Sequence, residues 1–346
     1  MGGDLSAVKA NALESCLLGG ALGDSLGLPA EGLTAMRIAR LWPAPLHHRF
    51  CGASGMVSDD TEHAVMTALS LADHEEDPAA FARALGKRLR WWFAGVPAGI
   101  GLATARSIFK LWCGVSPLCS GVWSAGNGPL MRSPVIGVKF SDDRDKRLAF
   151  TDASTRITHS DPRAREAARM IAEASALAAK NAQDEIEILK ALEPFVESEE
   201  MKFRFAELRA GLQSGESVEG LADRIGKRPG FVSGFAPDSA TVALFAWLRH
   251  RRDFRTTIET VVAAGGDTDT VAFVAGSLAG IDSGEEGMPQ EWITGLRDWP
   301  IHPRFLHEVA DGAIVRYPVW PFSLVRNGFF LLVVLVHALR RLLPPY

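Results

Sequence analysis

Apolar side chains recur at helical spacing along almost the whole chain, and strand-type alternation over more than a few residues is scarce. That pattern restricts the fold to helices packed on helices. The first long segment, Ala7 to Leu28, sharpens the restriction. Leu13, Leu17, Ala21 and Leu22 recur at helical spacing there, and Gly19, Gly20, Gly23 and Gly27 crowd the same stretch. Glycine costs roughly 1 kcal/mol per position inside a helix. Close packing against other helices is the simplest compensation.

Further helices are predicted from Ser58 to His74, Pro78 to Trp92, Arg163 to Lys180, Glu185 to Glu197 and Phe203 to Ser214. Others cover Ala240 to Arg249, Phe254 to Ala264 and Thr268 to Ser283. The stretch from Trp112 to Gly128 reads as irregular. The chain has no low-complexity linker and no fixed-period repeat. Its candidate site segments are spread from residue 24 to residue 270, which argues for one all-α, multi-helix domain over residues 1–346. Residues 317–346 form an additional apolar segment at its end.

With 346 residues, 47% hydrophobic and 23% charged, the composition is that of a globular protein. A net charge of -4 gives no reason to expect a nucleic-acid partner. Cys16, Cys51, Cys113 and Cys119 show neither zinc spacing nor the density of a disulfide framework, which suits a reducing compartment. Met1 to Lys9 lack the pattern of a secretory leader, and a cytoplasmic protein is expected. The most apolar run, Phe329 to Leu339, is shorter than the roughly 20 residues that cross a bilayer. It is expected to start near Asn327 and Gly328, to pack as a helix buried all round on the domain, and not to span a membrane. Shallow insertion at a membrane surface or burial in a dimer interface are the alternatives.

Two acidic helix heads carry the chemistry. Ser58-Asp59-Asp60-Thr61 opens one apolar helix, and Gly265-Gly266-Asp267-Thr268-Asp269-Thr270 opens another. Either head alone would be explained by capping and by the helix dipole. Together they supply four carboxylates and several hydroxyls. These hard oxygen ligands suit Mg²⁺, Mn²⁺ or Ca²⁺ better than zinc. If the heads face each other they could hold two metals about 3.5–4 Å apart. Around Gly126, Asn127 and Gly128 the backbone could approach a phosphate closely, although an ordinary loop is the plainer reading. Asp24 sits inside an apolar helix and would need a partner if buried. Glu31 lies just beyond that helix, as a solvated loop residue or facing a site. Thr158-His159-Ser160-Asp161-Pro162 could simply open the next helix.

Taken together, the stretches GGALGDSLGLPAE, GMVSDDTEHAVM, SAGNGPLMR, THSDPRA and GGDTDTVAFVAGSLAG resemble the ADP-ribosylglycohydrolase family, in the family's order and over residues 19–280. The resemblance implies a compact all-α globule with a binuclear site for two divalent cations, Mg²⁺ or Mn²⁺. Ser58, Asp59 and Asp60 match the first metal motif, with serine where the family usually has threonine. Asp267, Asp269 and Thr270 match the last. Glu31 matches a glutamate that serves as gate or catalytic carboxylate. Gly126, Asn127, Gly128 and His159 match segments near the ADP-ribose, and Gly265 and Gly266 belong to the last motif beside it. Arginine-specific relatives carry an aspartate where this chain reads Pro97-Ala98-Gly99-Ile100-Gly101.

The implied activity is hydrolysis at C1″ of ADP-ribose on a modified protein, with arginine as the linked residue. Glu31, Asp60 and Asp269 would be the catalytic carboxylates. The partner would be an ADP-ribosylated protein or a small ADP-ribose conjugate. Hydrolysis of serine-linked or free ADP-ribose derivatives and a catalytically silent ADP-ribose reader are the rivals.

Overall fold

Side-chain oxygens placed just ahead of apolar runs start many of the helices. In the computed structural model, Ser58, Asp77, Asp143, Asp161, Asp184, Ser198, Ser217 and Asp253 each accept a backbone N–H two or three residues ahead, the defining bond of an N-cap. The structure describes residues 2–314 and 316–343, with side chains from residue 11 onward. Within them are seventeen α-helices and isolated bridges but no sheet. The first half holds α1 (Gly2–Gly27), α2 (Ala35–Leu41), α3 (Asp59–Asp73), α4 (Pro78–Ala94), α5 (Leu102–Trp112), α6 (Ser133–Lys139), α7 (Arg144–Thr158) and α8 (Pro162–Ala179). The second holds α9 (Glu185–Leu192), α10 (Glu199–Ser214), α11 (Val218–Ile225), α12 (Ala236–Arg249), α13 (Phe254–Ala263) and α14 (Thr268–Ser283). The last are α15 (Gln290–Gly295), α16 (Pro303–Ala310) and α17 (Phe322–Arg340).

The centre of the fold is an antiparallel pair, α1 against α14. Their glycines meet backbone to backbone. A Cβ on Gly19 would lie 2.3 Å from the Gly276 carbonyl oxygen, one on Gly23 2.0 Å from that of Ala272, and one on Gly27 2.4 Å from that of Thr268. The contacts step by four residues on both helices, so they form one continuous small-residue ridge. This close packing answers the glycine cost read from the sequence. Around the pair, α12 and α13 pack on α14, α6 and α16 pack on α1, and α8 joins α6 to α12.

The C-terminal helix departs from expectation in three ways. It begins at Phe322, not near Asn327. Arg326 and Asn327 do not interrupt it, because both side chains are buried against the body and satisfied there. The helix therefore reaches 19 residues with mean hydropathy 1.9 over its most apolar window, which is long and apolar enough by length and composition to cross a membrane. Nor is it buried all round. Only Arg326, Asn327 and Phe330 are buried, and Phe329, Leu332, Val336 and Leu339 are exposed. The extra C-terminal segment extends to residues 344–346, which lie outside the described residues, as does Val315.

The two glycine environments predict opposite responses to the same substitution. Gly23→Ala should destabilise the protein, because overpacking against backbone costs roughly 1–3 kcal/mol and exceeds the helix-propensity gain. Gly328→Ala adds its methyl in open space on α17 and should stabilise by up to about 1 kcal/mol. Urea denaturation of both variants checks the pair. Equal effects would count against the ridge as the site of close packing.

Candidate active site

A ring of hydrogen bonds closes all five motif segments into one site. Asp24, on α1, is fully buried and takes the N–H of Ser58 on both oxygens (3.0 and 2.9 Å). It also accepts the Thr61 hydroxyl at 2.5 Å and the Thr61 N–H at 3.3 Å. The first helix thus holds the head of α3. From that head, Asp60 Oδ2 accepts the hydroxyls of Ser58 and of Thr270, both at 3.1 Å. The heads of α3 and α14 therefore face each other. Asn127 extends the ring: its Nδ2 donates to Asp267 Oδ2 at 2.8 Å and to Ser239 Oγ at 3.0 Å.

Arg132 joins the remaining motif. Its fully buried guanidinium donates to Thr158 Oγ1 (2.7 Å) and to Ser154, and lies 3.1 Å from His63 Nδ1. No carboxylate faces it in these contacts. Burial lowers its pKa to about 9. Burial and then the Arg132 charge hold His63 and His159 unprotonated, His159 falling to about 3. His159 itself is buried beneath the loop, with Nδ1 2.9 Å from Thr158 Oγ1. A Cβ on Gly128 would lie 2.9 Å from its Cε1, so a larger residue there would collide with the ring. A cation with neutral partners beneath the Gly126–Gly128 loop makes that loop electropositive.

The backbone donors of the loop are partly engaged. Gly126 N–H donates to Ser124 Oγ and Asn127 N–H to the Gly234 carbonyl, while Gly128 N–H has no such partner among the described residues. Gly265 and Gly266 have φ of +74° and +86°, which L side chains rarely adopt. Their N–H groups go to the carbonyls of Val262 and Leu33. These two glycines build the turn that sets Asp267 opposite Glu31 and do not present free donors.

Several carboxylates crowd this space. Asp59, Asp60 and Asp269 are held well above the usual carboxylate range, first by burial and then by one another's charge and that of neighbouring acids. Burial lifts Asp24 to about 7 against the pull of the Ser58 and Thr61 donors. Glu31 stands exposed at the rim. The protein around its carboxyl, then the Asp267 charge, raise it to about 6, and Arg341 opposes that rise. Asp60 Oδ1 and Asp269 Oδ1 are buried with no hydrogen-bond partner. Orphaned anionic oxygens inside an acidic cluster are what a divalent cation would satisfy. The donor set of carboxylates and hydroxyls suits Mg²⁺ or Mn²⁺. Elsewhere among the described residues, Glu14, Glu285 and His307 bring ligand atoms within 4.8 Å of one another. His307 already pairs with both glutamates, Nδ1 at 3.1 Å from Glu14 and Nε2 at 3.4 Å from Glu285.

An all-helical body that brings two acidic helix heads and a glycine loop together is the setting that the ADP-ribosylglycohydrolases share. Residues 6–320 match the ADP-ribosylglycohydrolase family, and the chain belongs to it. The chain is similar to an uncharacterised protein of Archaeoglobus fulgidus, 29% identical over 86% of this chain and 93% of that one. It is similar to ADP-ribosylhydrolase ARH3 of Gallus gallus, 27% identical over 80% of this chain and 86% of the relative. It is also similar to ADP-ribosylarginine hydrolase Tri1 of Pseudomonas putida, 26% identical over 87% and 78% of the two chains. Among solved structures, one titled an ADP-ribosylglycohydrolase-related protein complex superposes with a TM-score of 0.65 at 27% identity, covering 87% of this chain and 96% of that one.

Asp24, Thr61, Arg132 and Ser239 complete this network beyond the ligand and catalytic residues that the sequence points to. The signal for Asp24 was present, as a carboxylate inside an apolar helix. Arg132 closes the SAGNGPLMR stretch but nothing in the pattern marks it as buried. Ser239, on α12, carries no sequence signal.

The raised carboxyl groups set a pH dependence. A carboxyl whose folded pKa lies above its unfolded value binds more protons when folded, so stability falls as pH rises through that window. Without added cation, Asp60→Asn should gain melting temperature over the unsubstituted protein. The gain should be larger at pH 7.5 than at pH 5, since ionised neighbours repel Asp60 only at the higher pH. A difference in melting temperature that is the same at both pH values would contradict the crowded-carboxylate reading.

Proposed function

We propose that this glycohydrolase removes ADP-ribose from a protein side chain, arginine being the first linkage to test. The observation that carries the proposal is the hydrogen-bonded series from Asp24 to Asn127, together with the two buried, partnerless oxygens of Asp60 and Asp269. The arginine linkage draws support from the similarity to a protein named as an ADP-ribosylarginine hydrolase. Gly99 stands where arginine-specific relatives carry an aspartate, and the absence of that carboxylate counts against the arginine linkage.

Water attacks C1″ of the ribose, the bond to the leaving nitrogen breaks, and the proton lost by water is balanced by one gained by that nitrogen. The transition state resembles an oxocarbenium ion, as in other glycoside hydrolyses. Ser58, Asp59, Asp60, Asp267, Asp269 and Thr270 would hold two divalent cations, Mg²⁺ or Mn²⁺. When bound, such cations orient ribose hydroxyls and polarise a water. Asp60 and Asp269 fix this acidic wall at the facing helix heads. Glu31, at about 6, exchanges a proton near neutral pH, as a general acid or base should. The Gly128 N–H and the buried Arg132 charge favour the pyrophosphate over the loop. Asn127 keeps Asp267 in place through its amide.

The test is turnover of arginine-linked, serine-linked and free ADP-ribose substrates, each with and without Mg²⁺ or Mn²⁺. Cation-dependent release from arginine is expected. Glu31→Gln should lower kcat by about 10²-fold or more, and Asp60→Asn and Asp269→Asn at least as much. Faster release from serine would move the linkage assignment. Tight ADP-ribose binding with no turnover of any substrate would overturn the hydrolytic reading in favour of a reader.

A further inference from the structure

The helix α17 is fastened to the body along one face and at both ends. Near its start, Arg326 donates to the Val57 carbonyl at 2.6 Å, pairs with Asp298 and lies 3.5 Å from Glu62. Asn327 donates to the Gly95 carbonyl at 2.8 Å. In the middle, the Phe330 ring packs on Phe50 with centroids 4.9 Å apart. Near its end, His337 Nε2 is bonded to the Phe50 carbonyl at 2.7 Å, and Arg341 donates to the Pro29 carbonyl at 3.0 Å. The helix therefore lies flat along the surface.

Its other face is apolar and uncovered. Phe322, Val325, Phe329, Leu332, Val336 and Leu339 are 47–73% exposed. They follow a three–four spacing that places them on one line. Beside that line Leu324, Leu331 and Leu335 are exposed too. No aspartate or glutamate occurs from residue 317 to residue 346. Exposed Trp320 stands just ahead of the helix, 6.3 Å from Trp91 between ring centroids, with exposed Lys87 and Arg316 lining the same hollow. Exposed Arg340 closes the far end.

Two features separate the possible occupants. A helix seam made with a second copy is a narrow apolar stripe flanked by charged residues that choose the partner. Here the flank carrying Leu324, Leu331 and Leu335 is apolar. An uncharged arc bordered by tryptophan and by cations at its ends matches the acyl boundary and the headgroup level of a bilayer. The helix is long and apolar enough to cross it. Crossing would draw Arg326 out of its site, leaving Asp298 and Glu62 buried without it and a guanidinium in hydrocarbon. We propose that the outer face of α17, with Trp320, Trp91, Lys87 and Arg316, docks this enzyme on an anionic lipid surface, the helix lying in the interfacial plane. Arg341 is bonded to Pro29, two residues before Glu31, so the docked face borders the rim of the active site.

Flotation of the full chain with phosphatidylcholine vesicles, with and without phosphatidylserine, tests the proposal. Binding is expected to vesicles with phosphatidylserine, to weaken in high salt, and to be released by alkaline carbonate. The double variant Leu332→Glu/Val336→Glu should lower the bound fraction at least about tenfold while melting temperature and turnover stay unchanged. Failure to float would overturn the proposal. So would a dimer in light scattering that the double variant dissolves while no vesicles are bound. Binding that resists carbonate would replace it with a spanning helix.

Discussion

The site depends on how closely two helices can approach. Asp24 and the 267–270 head lie on different helices far apart in the chain, and only the backbone-to-backbone contact of α1 with α14 brings them to one cleft. At Gly27 the ridge ends against Thr268, whose hydroxyl donates to the Gly27 carbonyl at 2.8 Å. That bond fixes the axial register of the two helices next to the acidic residues. From there Asp24 reaches across to the head of α3, so one register sets the position of both acidic heads. The glycines that weaken α1 as a helix are the same ones that allow this approach.

The electrostatics run in two opposite directions within a short span. Buried acids accumulate on one side of the cleft, where burial first and then the charge of neighbouring acids raise Asp59, Asp60 and Asp269. A buried cation with hydroxyl, carbonyl and imidazole partners sits on the other side, under the glycine loop. Neither arrangement favours the folded state on its own, because burying unpaired charge is costly. The chain tolerates this because the surrounding helices are apolar and tightly packed, with Trp92, Trp247 and Trp292 fully buried.

Much of this was legible in the sequence. The long, strongly periodic helices and the capped heads at Ser58 and Asp161 follow from local chemistry. So does the pairing of acidic heads, because two short acid-and-hydroxyl clusters before apolar runs are rare together. Helix α7 was not legible. Its apolar positions are few, and Arg147 on it is buried where Glu173 on α8 pairs with it at 2.8 Å and the carbonyls of Phe140 and Ser141 accept from it. Helix α17 was read too short, since Arg326 and Asn327 look like a break until Asp298 and Gly95 are seen to receive them. Its exposed face could not be inferred either. An all-apolar stretch reads as buried unless the body is known to leave it uncovered.

Glu62 lies two residues after Asp60, and its carboxylate is gripped by Trp92 Nε1 at 2.7 Å, by Tyr317 Oη at 2.5 Å and by Arg326. The helix that bears half of the acidic cluster is thus clasped by Tyr317 and Arg326, which follow every motif of the cleft in the sequence. During synthesis every motif of the cleft leaves the ribosome before the two side chains that clasp α3 do. A nascent chain that ends after α14 carries the whole signature of the enzyme in sequence, yet Glu62 still lacks two of its three partners.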